Sequence, residues 1–143
     1  MLVARTTHLV GMLVLVTLAS TFVAAAETAQ SPRRYGSVIG LRPEKLAEYK
    51  KLHAAVWPAV AKAIRDANIR NYSIYLRKLD DGKYYLFSHF EYVGQDFQAD
   101  MAKLGADPET QRWWKFTDPC QKPLSDRKAG EWWASMEEVF HQD

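Results

Sequence analysis

Cysteine is almost absent from this chain, since Cys120 is the only one in 143 residues. A single thiol cannot close a disulfide within one chain, which excludes a disulfide-framework fold. The four histidines, at positions 8, 53, 89 and 141, are far apart and have no cysteine pair beside them, so the sequence predicts no metal site. It also contains no glycine-rich phosphate loop, nucleotide fingerprint or serine nucleophile elbow.

Charge of one sign is not in excess either. The 19 Lys and Arg residues are nearly balanced by 17 Asp and Glu. This balance argues against nucleic acid or an anionic membrane as the main partner. Aromatic residues, by contrast, make up 13% of the chain and include five tryptophans, more than a small domain needs to fold. We interpret this surplus as a sign of ligand binding.

The first 26 residues have the pattern of a secretory signal peptide. Arg5 supplies a positive start, an apolar run extends from Leu9 to Val23, and the small residues Ala24–Ala26 follow. The apolar run is too short to span a bilayer comfortably, which takes roughly 20 residues. We expect cleavage after Ala26 and a periplasmic or secreted protein without a membrane anchor.

The rest of the chain predicts one domain. Residues 27–33 are polar and are expected to form a flexible leader before a domain at 34–143. Apolar periodicity predicts strands over 35–41, 71–78, 83–92 and 136–141, helices over 44–68, 95–104 and 108–115, and a loop over 119–130. Pro58 is expected to break the first helix around 54–57.

The predicted order is strand, helix, strand, strand, helix, strand. This order indicates an α+β fold, a split βαβ unit with an antiparallel sheet and helices on one face. The strands carry Tyr, Ile and Phe on both faces, so the face without helices needs a cover. A second copy of the chain is the simplest cover, and we expect a homodimer.

Tyr49, His53 and Trp57 are spaced four residues apart on the predicted first helix. This spacing places a phenol, an imidazole and an indole on one side of a continuous helix. An imidazole transfers protons near neutral pH, so His53 is a candidate catalytic residue. The alternative is a core histidine that only hydrogen-bonds a neighbour.

Two further clusters are candidates for ligand contact. Trp113 and Trp114 diverge by about 100° on a helix, so at least one is expected to be exposed, either for a sugar or for a dimer contact. On the predicted second strand, Asn71, Ser73 and Tyr75 share one face, and Tyr72 and Ile74 share the other. Polar tips on a buried face would suit a hydroxyl-rich ligand, unless they reflect ordinary strand alternation. The Trp132-Trp133 pair is interpreted as loop packing.

The segments YKKLHAAVWP, NYSIYL, QRWWK and EEVF, in this order and spacing, resemble the L-rhamnose mutarotase family over residues 34–141. The resemblance implies a ferredoxin-like unit that pairs into a dimeric α/β barrel and exchanges the α and β anomers of L-rhamnose without cofactor or metal. It implies that His53 is the proton donor, and that the sugar contacts are Tyr49, Tyr72, Trp113 and Trp114. Trp57 and Asn71 are possible further pocket residues.

Anomer exchange requires a proton to leave the anomeric hydroxyl and another to reach the ring oxygen, and general acid–base groups suffice for this. The partner of His53 in the exchange could be Tyr49, a bound water, or a side chain from the second subunit. Two other functions are alternatives on the same fold: a non-catalytic sugar-binding module and a dimeric monooxygenase.

Overall fold

The computed structural model describes residues 31–142. The predicted signal peptide and all of the predicted leader before Ser31 lie outside the described residues. Within residues 31–142, no helix has the length and apolar character needed to cross a membrane.

Five strands, four α-helices and two short 3-10 helices make up the described chain. In chain order they are β1 (Arg33–Leu41), a 3-10 turn (Pro43–Lys45), α1 (Leu46–His53), α2 (Pro58–Asp66), β2 (Ile69–Lys78), β3 (Tyr84–Tyr92), α3 (Phe97–Ala106), α4 (Pro108–Thr117), a second 3-10 turn (Asp118–Cys120), β4 (Gln121–Lys122) and β5 (Ala134–Met136).

The strands form one antiparallel sheet in the order β2-β3-β1-β4, with β5 also paired to β1. This order confirms the predicted α+β fold with a split βαβ core. The central row of the sheet places Leu76, Leu86 and Ile39 opposite one another on three adjacent strands. These side chains face the helices, where Ile39 and Leu86 pack with Tyr49 of α1 and with Cys120.

The helix break at Pro58 is confirmed. Helix α1 ends at His53, and α2 begins at Pro58 with Trp57 in an extended conformation before it. Proline is suited to the first position of a helix, where its missing N–H has no partner to lose. The expectation that Trp57 shares one continuous helix with Tyr49 and His53 is therefore wrong, because residues 54–57 separate the two helices.

The end of the chain differs from its predicted structure. The last strand spans Ala134–Met136 rather than 136–141, and it pairs with Gly36–Val38 of β1. Val139 and Phe140, which belong to the predicted strand, are 88% and 79% exposed and pair with no strand. Strand β4 lies inside the segment predicted as a loop. It was not predicted because a strand of two residues, defined by its pairing with β1, leaves no periodic signal in the sequence.

A close backbone approach brings β4 to the sheet. Gly40 of β1 pairs with Lys122, and a Cβ on Gly40 would lie 2.7 Å from the Lys122 carbonyl oxygen. Only glycine lets the two strands come this near without a shift. The neighbouring residue Gln121 is thereby held, buried, beside the helix face of the sheet.

The opposite face of the sheet carries a second row of large side chains. Val38, Phe87 and Tyr75 are paired across β1, β3 and β2, one residue out of phase with the buried row. Tyr75 is 63% exposed. Successive strand residues point to opposite faces, so this row lies on the side away from the helices.

Candidate active site

A cavity lies between the helices and the sheet, and it has two lobes that meet at His53. The inner lobe, of about 670 Å³, extends beneath α2, α3 and α4. The outer lobe, of about 450 Å³, extends toward the segment after α4. Both lobes are lined by the same six residues at their junction: Tyr49, His53, Tyr72, Ile74, Trp113 and Trp114.

The five residues predicted to bind or transform the sugar are all at this junction. His53 stacks on Tyr49 with ring centroids 4.0 Å apart, and it packs edge to face with Trp113 at a centroid distance of 5.5 Å. Tyr72 enters from β2, and Trp114 follows Trp113 on α4 with 40% of its surface exposed. Three separate elements therefore converge on one site.

His53 is held in one orientation by the last turn of α1. Its Nδ1 lies 3.1 Å from the backbone carbonyl oxygen of Tyr49. A carbonyl only accepts hydrogen bonds, so Nδ1 carries the proton and Nε2 of the neutral ring keeps a free lone pair. Burial lowers the pKa of His53, although its bond to the Tyr49 carbonyl opposes this shift. Neutral His53 is therefore the resting form near pH 7, with Nε2 ready to accept a proton.

The two tyrosines remain protonated over the physiological range. Burial raises the pKa of Tyr49, and a charge on Tyr72 would raise it further, while the Gln121 side chain opposes the rise. No hydrogen bond of normal length satisfies the buried Tyr49 hydroxyl within residues 31–142. Tyr72 is 43% exposed overall, but its hydroxyl end is desolvated and burial raises its pKa to about 12. Both hydroxyls can donate hydrogen bonds to a ligand.

Trp57 and Asn71, the possible further pocket residues, do not line either lobe. The Trp57 ring packs edge to face against Trp113 at 5.3 Å, and the Arg112 guanidinium lies 4.5 Å above it. Trp57 thus supports Trp113 from behind. The Asn71 amide donates to Glu91 at 2.6 Å.

Asn71 shapes the site through its backbone. It has a φ of 48°, a left-handed conformation that asparagine tolerates, at a shift in register between Arg70 and Ser73. The extra residue lets Ile69 and Tyr72, three positions apart, both line the inner lobe. Regular alternation would send one of them to the other face. Ser73 and Tyr75, on the polar face of the strand, line neither lobe, so it is the face of Tyr72 and Ile74 that meets the cavity.

The inner lobe is mostly apolar. Beyond the junction its lining is aliphatic or aromatic except for Lys50 and Thr110, and includes Val60, Ile64, Ile69, Leu76, Leu86, Phe90, Met101 and Leu104. The outer lobe adds Thr117, Asp118, Gln121, Trp132 and Trp133. An apolar pocket with a few convergent polar groups is the usual composition of a small-molecule site.

Sequence reasoning missed the polar part of the outer lobe. Burial raises the pKa of the Asp118 carboxyl, and a hydrogen bond to Thr117 opposes this rise. Asp118 is four residues after Trp114, a spacing that places both on one helix side and could have identified it. Gln121 accepts a hydrogen bond from the Trp132 indole nitrogen at 2.6 Å, a contact that no sequence pattern indicates. The interpretation of Trp132 and Trp133 as loop packing holds only in part. Trp133 packs against the core, but Trp132 is 45% exposed, and both rings line the outer lobe.

The comparisons of sequence with known proteins point to one family. A family model described as L-rhamnose mutarotase matches residues 34–142. L-rhamnose mutarotase of Oceanobacillus iheyensis is 32% identical over 111 residues, which cover 78% of this chain and 99% of that protein. The same enzyme of Bacillus subtilis is 32% identical over 112 residues, with the same coverage of 78% and 99%.

Two solved structures share the fold. The crystal structure of L-rhamnose mutarotase from Formosa agariphila has a TM-score of 0.56 at 22% identity, and the match covers 78% of this chain and 99% of that one. Tetracenomycin F2 cyclase from Streptomyces glaucescens has a TM-score of 0.55 at 13% identity, covering 78% and 97%. At these identities the likeness shows a common ferredoxin-like fold, not a common chemistry.

The lowered pKa of His53 predicts how stability depends on pH. The unfolded chain protonates this residue near its ordinary pKa of about 6.5, and the folded chain does so only at lower pH. The unfolded state therefore binds more protons as the pH falls below about 6.5, and folding stability decreases. We expect the melting temperature of the wild type to fall more between pH 7.5 and pH 5 than that of His53→Asn.

Thermal unfolding at both pH values measures this difference. The variant keeps His89 and His141, so their contributions cancel in the comparison. An equal loss of melting temperature in both proteins would contradict the assigned state of His53.

Proposed function

Because the chain belongs to the L-rhamnose mutarotase family, we propose that it interconverts the α and β anomers of L-rhamnose or a closely related sugar. The observation that carries this proposal is the His53 imidazole, fixed through Nδ1 with Nε2 free, at the junction of two cavity lobes. Tyrosine hydroxyls and tryptophan rings surround it there. The family match favours an isomerase over the non-catalytic sugar-binding module and the monooxygenase.

The geometry supports proton transfer by a single imidazole. Nε2 of His53 accepts the proton of the anomeric hydroxyl as the bond between C1 and the ring oxygen breaks. The resulting imidazolium then gives that proton to the ring oxygen, which leaves an open-chain aldehyde. Both oxygens are bonded to C1 in the pyranose, so one side chain can serve both with little movement.

Ring closure reverses these steps on the other face of the aldehyde. After rotation about the C1–C2 bond, Nε2 takes the proton back from the chain hydroxyl as its oxygen attacks C1. The proton then goes to the new anomeric oxygen, and atoms and charges balance over the cycle. General acid–base catalysis of this kind contributes about 10²–10⁴-fold, which suits a reaction that proceeds slowly unaided.

The remaining residues at the junction bind the sugar. Tyr49 and Tyr72, held protonated by burial, donate hydrogen bonds to sugar oxygens. The Trp113 and Trp114 rings offer flat faces to the C–H groups of the pyranose. Rhamnose has a methyl group at C6, where glucose or mannose has a hydroxymethyl group. The apolar inner lobe accommodates this methyl group, whereas a hydroxymethyl group there would bury a hydroxyl without a hydrogen-bond partner.

Replacement of His53 tests the catalytic role. We expect His53→Asn to slow anomer exchange of L-rhamnose by about 10²-fold or more, because no other imidazole in the described chain lines the cavity. Exchange between the two anomeric protons, followed by NMR, measures the rate. His89→Asn is the matched control, because His89 lies on the opposite face of the sheet, and it should keep the wild-type rate.

A wild-type rate per folded molecule in His53→Asn would end the catalytic assignment. Loss of stability without loss of rate would show that His53 is only a core residue. Binding of L-rhamnose by the folded variant without exchange would support the assignment.

We further propose that the protein is a homodimer whose subunits meet through the exposed sheet face. The support is the row of Val38, Phe87 and Tyr75, which leaves an apolar surface in water on the side away from the helices. Exposed apolar surfaces on small domains commonly mark such contacts. Tyr75 is the most exposed of the three.

Light scattering tests the dimer. The wild type should have about twice the monomer mass, and Tyr75→Lys should shift it toward the monomer, because burying an unpaired charge is unfavourable. Gln98→Lys adds the same charge on the exposed side of α3 and should leave the mass unchanged. A monomeric wild type at micromolar concentration would contradict the proposal.

The N-terminal pattern supports export to the periplasm or the medium with removal of residues 1–26. Intact mass spectrometry of the protein from its native cells should give a chain that starts near Glu27. A chain that retains Met1 and the apolar run would refute cleavage.

A further inference from the structure

A cleft on the surface continues the outer lobe outward, and its residues resemble those of a sugar subsite. This rim cleft, of about 580 Å³, is lined by Gln111, Trp114, Lys115, Asp118, Pro119 and Trp132. Three of these residues, Trp114, Asp118 and Trp132, also line the outer lobe. They form a shared wall, so a molecule bound at the junction can extend into the cleft without leaving the protein surface.

Two indole rings flank the rim cleft and are open to solvent. Trp114 is 40% exposed and Trp132 is 45% exposed. The Trp132 ring is fixed, because its N–H donates to the Gln121 side chain at 2.6 Å, inside the outer lobe. A ring held in place by a buried partner loses little conformational freedom when a ligand stacks on it.

Polar groups accompany these rings. The cleft offers the Asp118 carboxyl, the Gln111 amide oxygen and the Lys115 ammonium, so acceptors and a donor lie beside aromatic faces. The Gln111 amide nitrogen is held by the Gly105 carbonyl at 2.9 Å. A pyranose presents the complementary surface, with C–H groups on its faces and hydroxyls around its edge. A purely apolar partner would leave the carboxyl and the ammonium without compensation.

We propose that the rim cleft binds a second sugar ring, and that the substrates include short oligosaccharides that end in a reducing L-rhamnose. The proposal rests on the function proposed above. Anomer exchange changes only C1 of the reducing sugar, so its other hydroxyls can carry a glycosidic bond. The reducing rhamnose occupies the junction at His53, and the next ring leads out past Trp114 and Asp118 to stack on Trp132.

Disaccharides with a reducing rhamnose test this substrate class. The probes are L-rhamnose and the α-L-rhamnosyl-L-rhamnoses linked 1→2, 1→3 and 1→4, each assayed by NMR for exchange of its reducing-end anomers. We expect at least one disaccharide to have a higher kcat/KM than L-rhamnose. Trp132→Ala should lower the ratio of disaccharide to rhamnose kcat/KM by about tenfold, the scale of one aromatic stacking contact.

Two further variants separate the cleft from the junction. Lys115→Ala changes only the cleft and should lower the disaccharide kcat/KM while the rhamnose value stays unchanged. Phe140→Ala removes an aromatic side chain that is 79% exposed away from the cleft, and it should change neither. Exchange of L-rhamnose without exchange of any disaccharide would overturn the subsite and leave the proposed function intact.

Calorimetry keeps the subsite testable if the protein does not exchange L-rhamnose at all. That result would refute the proposed function, and binding of the same four sugars would then decide the question of the cleft. Tighter binding of a disaccharide than of L-rhamnose, weakened in Trp132→Ala, would support the subsite. Equal affinities for disaccharide and monosaccharide, or no effect of Trp132→Ala, would overturn it.

Discussion

The end of one helix determines how this site is built. Proline has no N–H to donate, and its ring clashes with the preceding turn of a helix, so Pro58 begins α2 and α1 stops at His53. His53 thus lies in the last turn of α1, where its Nδ1 bonds to the Tyr49 carbonyl. One backbone constraint sets the position of the imidazole and, through that bond, its tautomer. The neighbouring Trp57 is freed from α1 and supports Trp113 from behind.

The fold follows largely from local sequence signals. Apolar periodicity predicted all three long strands and the helices that cover them, because each element is long enough to bury a regular face. The short strands are different. Both β4 and β5 pair with the edge of β1 that β3 does not occupy, and the close approach at Gly40 depends on a contact between residues far apart in the chain. Such contacts leave no periodic signal.

The candidate site likewise contains some residues that the sequence could identify and others that it could not. His53, Tyr49 and the paired tryptophans stand out because their types and spacing are unusual on a helix. The role of Asn71 was not predictable, since its left-handed backbone re-aims Tyr72 rather than touching the cavity. The hydrogen bond between Gln121 and Trp132 was equally hidden, because it joins a short strand to a loop. Sequence reasoning found the residues with distinctive side chains and missed those that act through geometry.

The two cavity lobes that meet at His53 matter because anomer exchange runs in both directions. A catalyst leaves the equilibrium between two anomers unchanged and works in both directions, so its site must admit and release each of them. The anomers differ only in the direction of one hydroxyl on C1. A cavity closed around His53 would fit one direction and exclude the other. Open space on both sides of the imidazole gives the hydroxyl room in either direction, so the same site can start from either anomer.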